Sequence, residues 1–142
     1  ASEADRLALH AAAALGQGVD GSEWGMVCGR LGVQPPIALA ETLFASGLAC
    51  QGELGWSFAF EAAREAVAQD SRAVGTWTRV HRACAEAMAG GVENGTCPIE
   101  RQARHLLAAG AETEALEPLY QAAVERFEAG DVTRTNTSRT GI

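Results

Sequence analysis

Apolar residues recur along most of this chain with the period of an α-helix, and one stretch only alternates with the period of a strand. Over Glu3–Leu15, Leu, Ala and His occupy nearly every face until Gly16, which predicts a largely buried first helix with a glycine stop. Asp20-Gly21-Ser22 offers capping side chains; Trp24, Val27, Cys28 and Leu31 then share one face until Gly32, predicting a second helix. Pro35-Pro36 gives a rigid start to a third, with Ile37, Ala40, Phe44 and Leu48 as its stripe. Residues 48–51 and 54–60 flank Gly52-Glu53 as the two strands of a hairpin. Three helices followed by a hairpin is the order of a winged helix, so residues 1–70 read as a winged-helix-like domain.

From Glu61 the period changes from two to about 3.6, so the second hairpin strand is expected to run straight into helix four. That helix is expected to end near Asp70-Ser71. Helix five then follows from Ser71, with Val74, Trp77, Val80, His81, Cys84 and Met88 on one face until Gly90-Gly91. Residues 91–97 form the clearest loop. Pro98 opens helix six, whose inner face is Ile99, Ala103, Leu106 and Leu107, and Gly110 closes it. Residues 112–129 repeat the scheme with Leu116, Leu119, Ala123 and Phe127. Two antiparallel helices around an Ala-Gly-Ala turn match one tetratricopeptide-type hairpin. The expected fold is therefore mainly α: residues 1–70 as above, residues 71–131 as helical connector and helix pair, residues 132–142 as a flexible tail. Trp24, Phe44, Trp56, Phe58, Phe60 and Trp77 are expected to form the aromatic core, with Phe60 buried at the junction of the two parts.

Charge narrows the function. Eighteen carboxylates against eleven cations, all of them Arg, leave a net charge of −7, which disfavours a sequence-independent grip on nucleic acid. Residues 35–48, the helix that would enter a major groove, hold no Arg and a single Glu, so phosphate anchors and bidentate base donors are missing. No basic segment followed by an apolar one opens the chain and no apolar run reaches membrane-spanning length, so a cytoplasmic location is expected. Cysteines 28, 50, 84 and 97 form no C-x-x-C and are expected as buried, reduced thiols.

Three constellations bear on chemistry. His81, Cys84, Cys97 and His105 have a spacing that can close a tetrahedral zinc site across helices five and six; packing histidines are the plainer reading, and no cofactor is expected. Cys97, His105 and Glu100 can be written as a nucleophilic triad, but nothing in the sequence fixes them in one place. Glu61, Arg64 and Glu65 read as a solvated face with local ion pairing. Hydroxyls beside Arg134 and Arg139 suit a basophilic kinase, against the plainer reading of a solvated linker.

The blocks L9-H-A-A-A-A-L-G16, L43-F-A-S-G-L48, W56-S-F-A-F-E-A-A-R-E-A-V67, R79-V-H-R-A-C-A-E-A87, A103-R-H-L-L-A-A-G-A111 and Y120-Q-A-A-V-E-R-F-E-A-G-D131 carry a resemblance. Their order is similar to the region downstream of the nucleotide-binding core in bacterial STAND-type signalling ATPases. The resemblance implies a winged helix packed on an ATPase core and followed by helical repeats. It also implies, at the end of the second wing strand, a histidine facing the nucleotide phosphates; here the matching position is Phe60. A chain without lysine contains no G-x-x-x-x-G-K-[ST], so any ATPase activity would reside in an upstream domain and this polypeptide is not expected to be an enzyme. The expected function is a regulatory module that docks a protein partner or other domains of its own chain, with homodimerisation a further option. A winged-helix transcriptional regulator is the alternative. Leu106, Leu107, Leu116, Leu119, Tyr120 and Phe127 are the expected interaction residues, because a lone repeat leaves one face without its next neighbour.

Overall fold

The computed structural model describes the backbone of residues 2–141 and the side chains of residues 2–129; the tail expected over residues 132–142 lies outside the residues described with side chains. Local capping sets the first elements. Ser2 accepts a hydrogen bond from the Asp5 amide at 3.1 Å and starts α1 (Glu3–Leu15). β1 (Gly18–Asp20) follows, and Asp20 caps α2 (Gly21–Leu31) by accepting from the Glu23 amide at 3.0 Å. Gly32, in the left-handed region, stops α2. α3 (Ile37–Ala45), β2 (Ala49–Gln51) and β3 (Gly55–Phe58) complete the first half. Four helices follow: α4 (Glu61–Val74), α5 (Trp77–Glu93), α6 (Ile99–Ala108) and α7 (Glu112–Gly141).

The molecule is thus mainly helical with one small antiparallel sheet, ordered β1-β3-β2. β1 was not expected from the sequence. Three residues are too few to display a period, and its one inward side chain, Val19, is paired with Trp56 across the sheet and almost fully buried. The expected hairpin is present, with Cys50 opposite Ser57.

Trp24, Trp56 and Phe58 form the aromatic centre, Trp56 lying edge-on to Trp24 at 5.4 Å and to Phe58 at 4.9 Å. The Trp24 indole donates to the Ala8 carbonyl at 2.8 Å, tying α2 to α1. Phe44 and Trp77 pack on the rim of this core as partly buried rings. Phe60 departs from expectation: it is 50% exposed. Inward parity runs through Trp56 and Phe58, but β3 ends there, and Phe60 becomes the extended residue that precedes α4, its ring turned to solvent.

Helix four also departs from expectation at its end. It runs through Asp70-Ser71 to Val74 and stops at Gly75, which takes the left-handed conformation, so α5 begins at Trp77 and not at Ser71. Residue 70 therefore lies inside a helix. Val80, Cys84 and Met88 of α5 belong to the same core as α1, α2 and the sheet, so the connecting helix is built into the first half. A smaller core of Ala85, Leu106, Ala111 and Ala115 joins α5 to the last two helices. No helix among the described residues is long and apolar enough to cross a membrane.

Because the Asp20 carboxylate serves the first turn of α2 while its backbone closes β1, Asp20→Ala is expected to lower stability by about 1 kcal/mol. A shift of the urea midpoint at unchanged slope checks this.

Candidate interaction surface

The α6–α7 hairpin is closed by Gly110, whose φ of 75° allows the Ala111 amide to reach back to the Leu106 carbonyl at 2.9 Å. That turn aims Leu106 and Ala115 at α5, and Leu119 packs on them from the side. Of the six expected interaction residues, Leu106 is thereby a core residue and Leu119 is partly buried against that core. The other four are exposed: Leu107, Leu116 at 64%, Tyr120 at 71% and Phe127 at 67%. Val124, not anticipated, joins them. The steps from Leu116 to Tyr120, Val124 and Phe127 follow the rule of three or four, so one continuous apolar stripe faces outward along α7. Pro118 lies inside the same helix, where its missing amide leaves the Glu114 carbonyl without its usual donor.

Ion pairs hold the hairpin in place without covering the stripe. Arg82 of α5 grips Glu114 with two bonds of 3.1 Å, Arg126 pairs with Glu100, and Arg101 of α6 reaches Glu23 of α2 at 2.7 and 2.9 Å.

A second apolar surface lies in the first half. Leu9, Leu43, Leu48, Phe58 and Val67 line a groove of about 240 Å³ between α1, α3, the sheet and α4. No residue of α3 is fully buried, and Ile37 stands 74% exposed. Glu41 is the sole charge on that helix, so its outer face is apolar and faintly acidic.

The four residues weighed for zinc do not come together. His81 and His105 do meet, Nδ1 to Nδ1 at 2.7 Å, in the interface of α5 with α6. Two nitrogens sharing a tetrahedral zinc stand roughly 3.3 Å apart, so this spacing is that of a hydrogen bond between two neutral rings. Cys84 belongs to the main core, where burial pushes its thiol up to about 12, and the Cys97 thiol donates to the Pro98 carbonyl at 3.6 Å. Among the described residues no group of three or more His, Cys, Asp or Glu is placed to hold a metal ion. Cys97, His105 and Glu100 make no bond with one another: His105 is engaged by His81, and Glu100 by Arg126. Burial lowers His81 and His105 each to about 4, with repulsion between the rings adding to His81 and Arg101 adding to His105.

A polar network that the sequence reading missed ties α1 to the α4–α5 turn. His10, almost fully buried, meets Asp70 through Nε2 at 2.7 Å and Thr76 through Nδ1 at 2.8 Å. Arg6 donates to both Asp70 oxygens, and these bonds, with the one from His10, hold that carboxyl well below the usual carboxylate range. Hydroxyl, imidazole and carboxylate in line are the parts of a charge relay. Here Ser71 also holds the Thr76 hydroxyl at 2.6 Å and Arg6 occupies both carboxylate oxygens, so the arrangement works as a clamp. In the sequence His10 is one more inward residue of a helical period, and Asp70-Ser71 has the local character of a helix end. Comparison with protein-family models, with curated proteins and with solved structures finds no match to this chain.

Proposed function

We propose that this chain is a non-catalytic regulatory module of the kind found in bacterial STAND-type signalling proteins, docking a partner protein or domain through the outer face of α7. The observation that carries this reading is the exposed stripe of Leu116, Tyr120, Val124 and Phe127 on a helix whose opposite side is already packed. The element order α1-β1-α2-α3-β2-β3, with the first strand lying beside the last, suits a winged helix. The α6–α7 pair suits a single tetratricopeptide-type repeat, which buries its second face only against a neighbour. Phe60, exposed at the start of α4, offers a phenyl ring where a phosphate-facing histidine would stand, so the module would hold its partner by apolar contact.

Site-specific photo-cross-linking in the native cell tests the reading. A benzophenone side chain at position 120 is expected to give a discrete adduct, and one at the exposed position 69 none. Leu116→Asp with Phe127→Asp is expected to remove that adduct without moving the thermal melt, since both side chains already face water. Equal labelling at both positions would sink the proposal, and salt-sensitive retardation of duplex DNA by the pure chain would favour the transcriptional alternative.

A further inference from the structure

The charges that border the α7 stripe identify what chemistry the occupant carries, if α7 is the docking face argued above. With Leu116, Tyr120, Val124 and Phe127 at the centre, the helical period puts Glu117 and Glu128 together on one flank. Neither has an ion-pair partner among the described residues, whereas Arg126, the cation of α7 within the residues described with side chains, lies on the other flank and is spent on Glu100. The two free carboxylates are eleven residues apart, about 16 Å along the axis. Both border apolar surface that a partner would dry, and a carboxylate drawn into such a rim without a counter-charge costs more than it gains.

We propose that the α7 face receives an amphipathic helix of a partner whose apolar stripe is bordered by two Arg or Lys residues about 16 Å apart, set opposite Glu117 and Glu128. A second copy of this chain fits less well. In an antiparallel pair, which brings each flank against its own counterpart, Glu117 and Glu128 of one copy would face the same carboxylates of the other.

Three synthetic 20-residue helices test this: one with a Leu stripe and Lys on the flank, one with the same stripe and Glu on the flank, and one with Lys flanks and Ser in place of Leu. Fluorescence anisotropy with the full chain is expected to show the first binding at least tenfold more tightly than either control, weakening as salt rises. In Glu117→Lys/Glu128→Lys the preference between Lys and Glu flanks should reverse. Both positions are exposed and unpaired, so the variant folds as the parent does, which a thermal melt verifies. Indifference to flank charge, or a preference that survives the charge reversal, overturns the cationic partner while leaving an apolar docking face intact. Binding that is indifferent to the Leu stripe as well removes the docking face itself. A chain that sediments as a dimer, and becomes monomeric in Tyr120→Asp, assigns the face to a second copy and overturns the proposal.

Discussion

Gly55→Ala should cost about 3–5 kcal/mol, enough to lower the melting temperature of a domain this size by roughly 10 °C or more. A Cβ built on Gly55 would lie 2.0 Å from the Val19 carbonyl oxygen and 2.7 Å from the Gly21 nitrogen. Both are backbone atoms, so no side-chain rotation relieves the overlap, and β1 must separate from β3. Separation exposes Val19, breaks the 2.9 Å bond from the Gly21 amide to the Leu54 carbonyl, and disturbs the Asp20 cap that starts α2. One methyl group thus acts on the sheet, on the turn and on a helix start together. Gly52→Ala is the internal control. Its added Cβ would meet only the Gly55 carbonyl oxygen, at an ordinary contact distance of 3.7 Å, so its melt should stay within a few degrees of the parent. Paired thermal melts by circular dichroism decide the matter: the close approach of β1 to Gly55 is refuted when the two variants melt alike.

What was legible in the sequence follows from how local the responsible interaction is. α1, α2, α6 and the hairpin were readable because their caps, glycine stops and periods lie within a dozen residues of one another. β1 was not, since its only justification is Trp56, thirty-seven positions later by register. Parity misplaced Phe60 because alternation holds only while the strand lasts, and β3 ends two residues earlier. Asp70 and Ser71 looked like a helix end for a related reason. The Asp70 carboxylate is here consumed by His10 and Arg6, about sixty positions earlier, and the Ser71 hydroxyl by Thr76 just past Gly75, which is the true stop.

The candidate site divides along the same line. The apolar spacing of α7 was visible, and an unpaired repeat face was expected. Which leucines turn inward depends on where α5 lies, and α5 docks through Ala85 and the His81–His105 pair, contacts that span more than twenty positions. Leu106 therefore lies in the core with Leu119 packed against it, while Leu107 and Tyr120 stay outside. The histidines of α5 and α6 meet as a hydrogen-bonded packing pair, the plainer reading of their spacing, while Cys84, three positions after His81 and about 60° around the helix, packs among the residues of the main core.

That buried pair governs the largest pH effect expected of the molecule. His81 and His105 are both 7% exposed and both held neutral by burial, each lowered to about 4 from an ordinary value of 6.5. Between those limits the unfolded chain takes up protons that the folded chain refuses. Stability is therefore complete above pH 6.5 and is lost as pH falls toward 4, each ring contributing up to about 1.4 kcal/mol per pH unit. For the two together the loss between pH 7 and pH 5 should be of the order of 3 kcal/mol. The Asp70 carboxylate, lowered by Arg6 and His10, acts in a separate window: its contribution is present above the ordinary carboxylate value of 3.8 and fades only below it. Urea titrations at half-unit pH steps should thus show a slope that His81→Leu/His105→Leu abolishes between pH 7 and pH 5 and leaves unchanged below pH 4. The double variant also removes the unpartnered His81 Nε2, so it should lose little at pH 7, whereas His105→Ala strands both His81 nitrogens and should lose more. A slope that persists undiminished in the double variant would show that the acid sensitivity originates elsewhere than at the α5–α6 interface.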